Sequence, residues 1–115
     1  MLAAPAAAQE GVPSGQPLAL WEVLWERVEG DGAQVVLRFI APDAASVEAD
    51  DAQADMDHLC ESHALPMTAL PYAGAGSAVV TLMDRPVPRG RVDPDAAQLF
   101  SVYALEDGTC VPEAF

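Results

Sequence analysis

The sequence predicts one α+β domain, a single helix packed across a four- to five-stranded antiparallel sheet, in the order ββαββ with a C-terminal hairpin. Three observations carry that expectation. The segment 49–64 repeats apolar residues at helical spacing and carries helix signals at both ends, several others alternate or are rich in β-branched residues, and 115 residues is the length of one domain. A chain of that size buries roughly 65% of the surface it would expose unfolded. Its 51% hydrophobic residues suffice for a core, although many are alanine.

Taken in order, the first residues, MLAAPAAAQEG, read as the tail of a secretory signal peptide, with Ala6 and Ala8 in the A-x-A positions and cleavage between Ala8 and Gln9. The competing reading is an alanine-rich tail. Residues 1–8 are thus the remnant, 9–17 (QEGVPSGQP) an extended lead-in, and 18–115 the domain. Leu18 to Val28, LALWEVLWERV, fits a strand with Trp21, Val23 and Trp25 on one face, and also a helix with Leu20, Val23, Leu24 and Val28 in a stripe. Its context favours the strand. Glu29-Gly30-Asp31-Gly32 is hairpin turn chemistry, and Gln34 to Ile40 alternates, with Val35, Leu37 and Phe39 on one face.

Pro42 to Ser46 reads as a loop. In ADDAQADMDHLCESHA, residues Ala49, Ala52, Met56, Leu59, Cys60 and His63 share one side of a helix. Asp50 with Gln53 has the form of a capping box, and Pro66 opposes continuation, so the helix should span 49–64. Pro66 to Gly76 reads as an irregular connection. Ser77 to Met83 is a strand by β-branched content, Asp84 to Pro94 a loop, Gln98 to Leu105 a strand, and Asp107-Gly108 turns into Thr109 to Val111.

Eighteen acidic residues stand against five arginines and no lysine, a formal charge of −13. That balance argues against nucleic acid and anionic membrane surfaces as partners. No segment approaches the roughly 20 apolar residues of a membrane span. In an oxidising compartment the two cysteines, Cys60 and Cys110, are most simply a disulfide, with free thiols or a metal or redox pair as alternatives; the absence of C-x-x-C spacing counts against the redox reading.

Asp55, Asp57, His58, Glu61 and His63 have a metal-like density, yet His58 and His63 are five apart and match no metal motif. They read as a solvated acidic face, with His63 a core or boundary residue. Gly30-Asp31-Gly32 resembles the start of a thiamine diphosphate and magnesium site, but the chain has no asparagine to complete it. The glycines of 73–76 lack the Lys and Ser/Thr of a phosphate loop, no serine lies in G-x-S-x-G, and Cys60 with His63 would be catalytic only as a free, exposed thiol. No cofactor, metal or catalytic residue is assigned. The strongest feature is Arg85-Pro86-Val87-Pro88-Arg89-Gly90-Arg91, where prolines stiffen a loop carrying Arg85, Arg89 and Arg91. It reads as a recognition loop for a carboxylate, a phosphate or an acidic partner, or else as arginines paired with Asp84, Asp93, Asp95 or the acidic helix. Trp21 and Trp25 offer a second contact surface, against core packing.

The stretches ADMDHLC, VTLMDRPVPRG, DPDAAQLFSVY and EDGTCVPEAF together resemble a family of small secreted alphaproteobacterial proteins of unknown function, over nearly the whole mature length. That resemblance implies export behind a full signal peptide and cysteines matching Cys60 and Cys110, without implying an activity. An acetolactate synthase label carried by some members is untenable for so short a chain with no asparagine. The expected function is a non-catalytic binding or accessory module, periplasmic or secreted, that contacts another protein through the Arg85 to Arg91 loop or the tryptophan strand. A small ligand carrier or hydrolase with a site assembled from distant residues is the alternative.

Overall fold

The structure, a computed structural model, describes residues 11–28, 32–68 and 75–113. Residues 1–8, expected to be a signal-peptide remnant, the expected turn Glu29, Gly30 and Asp31, and Ala73-Gly74 lie outside the described residues.

Five strands form one sheet in the order β1-β2-β3-β4-β5: β1 (Ala19–Val28), β2 (Gly32–Ile40), β3 (Ala75–Met83), β4 (Gln98–Glu106) and β5 (Thr109–Pro112). A helix between β2 and β3 packs across one face, so the α+β architecture and the C-terminal hairpin are as expected. The wholly antiparallel sheet is not. β2 and β3 run parallel, with Val35 opposite Ala78 and Phe39 opposite Leu82, and the sheet is mixed. The reason is topological. The intervening helix carries the chain from Ile40 back to the Gly32 end of β2 before β3 begins, and such a crossover can only deliver a parallel neighbour.

The helix also departs from its expected ends. α1 (Ala49–Leu59) starts on Glu48, which makes no side-chain capping bond. Asp50 lies inside the first turn, where its charge complements the helix dipole. Gln53 turns away from any capping box and bonds the Asp57 carboxylate and the Ser101 and Tyr103 hydroxyls instead. Nor does Pro66 stop the chain: a π-helical turn, Cys60–Ala64, leads into α2 (Leu65–Thr68). Proline donates no N–H, and its ring would strike a carbonyl one α-turn back; widening the preceding turn, with Leu65 N–H bonded to Cys60 C=O, accommodates it.

The core lies between helix and sheet. Val35, Leu37, Phe39, Ala78, Val80, Leu82 and Tyr103 face Met56, Leu59, Cys60 and Ala64. A disulfide joins Cys60 to Cys110 across 6.3 Å between Cα atoms, fastening the β4–β5 hairpin to the π turn. The lead-in is fastened too. Asp55, fully buried, accepts hydrogen bonds from the Ser14 backbone N–H (2.9 Å), the Ser14 hydroxyl (2.6 Å) and the Gln16 side-chain amide (2.7 Å). The expectation of a uniformly solvated acidic face is therefore corrected at Asp55, which shares the buried stripe with Ala52, Met56 and Leu59. It is corrected at Asp57 as well, whose carboxylate accepts the Tyr103 hydroxyl at 2.7 Å. Burial raises the Tyr103 pKa well above its ordinary value of 10.0.

Candidate functional site

The opposite face of the sheet is also apolar at its centre. Val36, Val79 and Met83 are buried there, and the segment 84–97 folds back onto this side. The base of that loop is closed by two hydrogen bonds: Asp84 N–H to Ala97 C=O (3.0 Å) and Ala97 N–H to the Asp84 carboxylate (3.1 Å). Ends this close mark a compact Ω-like loop. Val87 is its buried anchor.

Arg38 holds the loop down. It projects from the middle of β2 onto this face and is only 2% exposed. Its guanidinium donates to the Glu22 carboxylate on β1, to Met83 Sδ on β3 (3.2 Å) and to the Val87 carbonyl, with the Trp21 ring 5.3 Å away. A β-bulge between Leu20 and Glu22 makes that last contact possible, because it takes Trp21 out of phase with Val23 and Trp25. The planar fork lets one side chain tie β1, β3 and the loop together, which an ammonium could not do.

Beyond Val87 the chain makes a turn closed by Arg91 N–H to Pro88 C=O (3.0 Å), with Gly90 at φ +84° in the left-handed region. Positive φ at the third position is the signature of a type II turn and favours glycine. The turn sets Arg89 and Arg91 on either side of Gly90. Arg89 forms a fork to Glu26 on β1, with Nε and Nη2 each 2.9 Å from a carboxylate oxygen. This bond holds the Glu26 carboxyl below its ordinary pKa of 4.5. Arg91 has no ion-pair partner among the described residues. Between turn and sheet lies an open cleft of about 260 Å³, lined by Arg38, Thr81, Arg89, Gly90, Arg91, Val92, Gln98 and Phe100. Val92 is 88% and Phe100 63% exposed, so an apolar lip borders a cationic cleft.

Over residues 1–115 the sequence matches a family of unknown function, DUF6497. The chain belongs to that family. Comparison with curated proteins and with solved structures returns no match.

Within this DUF6497 domain the residues singled out in the sequence are distributed unequally. Arg89 and Arg91 line the cleft, and Trp21 lies behind it on Arg38. Arg85 points elsewhere, exposed and bonded to Asp84. Trp25 is in register with Val35 and so belongs to the helix side of the sheet; both tryptophans are partly exposed, at 41% and 37%, rather than sealed in the core. Cys60 is disulfide-bonded, which removes the thiol from any pairing with His63, and His63 packs edge-on against Phe39. Among the described residues no group of three or more His, Cys, Asp or Glu is arranged to hold a metal ion. Sequence reading missed Arg38, Thr81, Gln98 and Phe100. An arginine centred in an otherwise apolar strand, VVLRFI, was the available signal for the first.

Proposed function

We propose that this protein is an exported, non-catalytic binding module that engages another protein through the sheet face bearing the 84–97 loop. The observation that carries the reading is Arg91. In a chain of eighteen acidic residues, it sits without an acidic partner among the described residues, in a cleft edged by exposed Val92 and Phe100. Arginine and aromatic side chains, here brought together at one cleft, are the residue types enriched in protein contacts. Export is supported by the Cys60–Cys110 disulfide, since such bonds persist in oxidising compartments. No described helix is long and apolar enough to cross a membrane.

The test places a photoreactive residue at position 92, on the cleft's lip, and separately at Glu61 on the exposed side of the helix, in the cells that make the protein. The expected result is a crosslinked species of defined mass from position 92 only, lost when Arg85, Arg89 and Arg91 are all replaced by alanine in a variant that still unfolds cooperatively. Identical crosslinks from both positions, or a crosslink indifferent to the arginines, would reject the reading.

A further inference from the structure

We propose that the cleft recognises one carboxylate carried beside an apolar side chain, and that this group is the C-terminal residue of the partner polypeptide. The proposal rests on the binding reading above and narrows it by charge, size and lining.

Charge comes first. Among the described residues that line the cleft, Arg38 is matched by Glu22 and Arg89 by Glu26, leaving Arg91 as the arginine without an ion pair, while Asp93 and Asp95 of the same loop lie outside the lining. One local positive charge answers one negative charge. A polyanionic segment would in addition approach a molecule of formal charge −13, and that repulsion is long-ranged at low salt. A lone carboxylate pays little of it. Arginine also suits a carboxylate by geometry, because its fork can bond both oxygens at once.

Size and lining narrow the choice. About 260 Å³ lies just below the usual range of small-molecule pockets, roughly 300–1,000 Å³, and accepts a single residue-sized group. Among the described residues the lining holds no acidic side chain. A free amino acid would bring an ammonium with nothing to receive it, whereas a chain terminus has its nitrogen in an amide. Gln98 and Thr81, on neighbouring strands, supply amide and hydroxyl groups to bond such a peptide unit, and Phe100 and Val92 give its apolar side chain a surface.

The experiment titrates the full isotope-labelled chain with four probes, followed by amide chemical shifts: N-acetyl-Ala-Ala-Leu with a free carboxylate, the same peptide as its C-terminal amide, N-acetyl-Ala-Asp-Ala-amide, and hexanoate. The free acid is expected to bind saturably, with shifts at Thr81, Arg91, Gln98 and Phe100. The amide should bind roughly 10- to 100-fold more weakly, the range expected for losing a charge-assisted hydrogen bond. Arg91→Gln should abolish binding while Arg85→Gln leaves it intact. Equal binding of acid and amide would overturn the carboxylate assignment. Equal or tighter binding of the internal aspartate peptide or of hexanoate would overturn the C-terminal one. No saturable shift with any probe would overturn the proposal outright, yet an arginine-dependent crosslink from position 92 would then still uphold the binding module itself.

Discussion

Arg38→Ala is the substitution with the most to reveal, because one side chain joins two strands and the loop. The change removes charge-assisted bonds to Glu22 and to the Val87 carbonyl, each worth about 1.5–3 kcal/mol. It also removes a cation–π contact with Trp21 worth about 0.5–1 kcal/mol. Part of this is recovered, since the Glu22 side chain is 33% exposed and can return to water. Breaking a buried pair by removing one partner typically costs about 3–5 kcal/mol, and partial resolvation of Glu22 places this case near the lower end, about 3 kcal/mol. At about 4 °C per kcal/mol for a domain of this length, Tm should fall by roughly 12 °C. Urea unfolding gives the global loss and hydrogen exchange the local one, and amides of 84–92 should lose protection before those of β2 and β3. Arg38→Lys should recover less than half of the loss, because an ammonium cannot reach all three partners in a plane. A loss below about 1 kcal/mol, or unchanged exchange in the loop, would refute the clamp, since the bonds it removes exceed that several-fold.

Other consequences follow from the same geometry. Reducing the Cys60–Cys110 bond, which spans 50 residues, should lower stability by about 4 kcal/mol in the chain-entropy account, measured by urea unfolding with and without reductant. Gly90→Ala should meet no steric obstacle, as no atom of the described residues beyond its two chain neighbours lies within 4 Å of the added Cβ, but its φ of +84° should cost about 1–2 kcal/mol. A Tm lowered by roughly 4–8 °C, together with weaker arginine-dependent crosslinking, would report it. Because Glu26 has its folded pKa depressed by Arg89, the stability this pair contributes is present above 4.5 and lost as pH falls through the folded value. Loop amides should therefore lose protection, measured against their intrinsic exchange rates at each pH, as the pH falls, and less so in Glu26→Gln. Tyr103 has its folded pKa raised by burial, so its contribution is present below 10.0 and lost as pH rises beyond it; Tyr103→Phe should flatten the alkaline fall in stability.

The parts of the fold legible in the sequence are those written in local patterns. β2, β3 and β4 follow alternation or β-branched content, and the hairpin around Asp107-Gly108 follows turn chemistry, with Asp107 itself at φ 51°. What local pattern does not encode is pairing between distant segments. Whether β2 meets β3 in parallel depends on where a helix returns the chain, and nothing within either strand states it. The same holds for Asp55, whose burial is offset by Ser14 and Gln16 some forty residues away. Trp21 illustrates a third limit: one bulged residue inverts the facing of everything before it, and alternation alone does not announce a bulge. The candidate site was legible in half. The run from Arg85 to Arg91 advertised itself by charge and proline, whereas the sheet residues that turn Arg89 and Arg91 into a cleft, Thr81, Gln98 and Phe100, carry no motif and acquire meaning only from the β3–β4 register.

The most direct test of the central claim is hydrogen exchange on the native protein, alone and bound to the partner captured from position 92. The account predicts new protection confined to 84–92 and 98–102, with the exposed side of α1 unchanged. Protection confined to α1 or β5, with the loop exchanging as in the free protein, would contradict it.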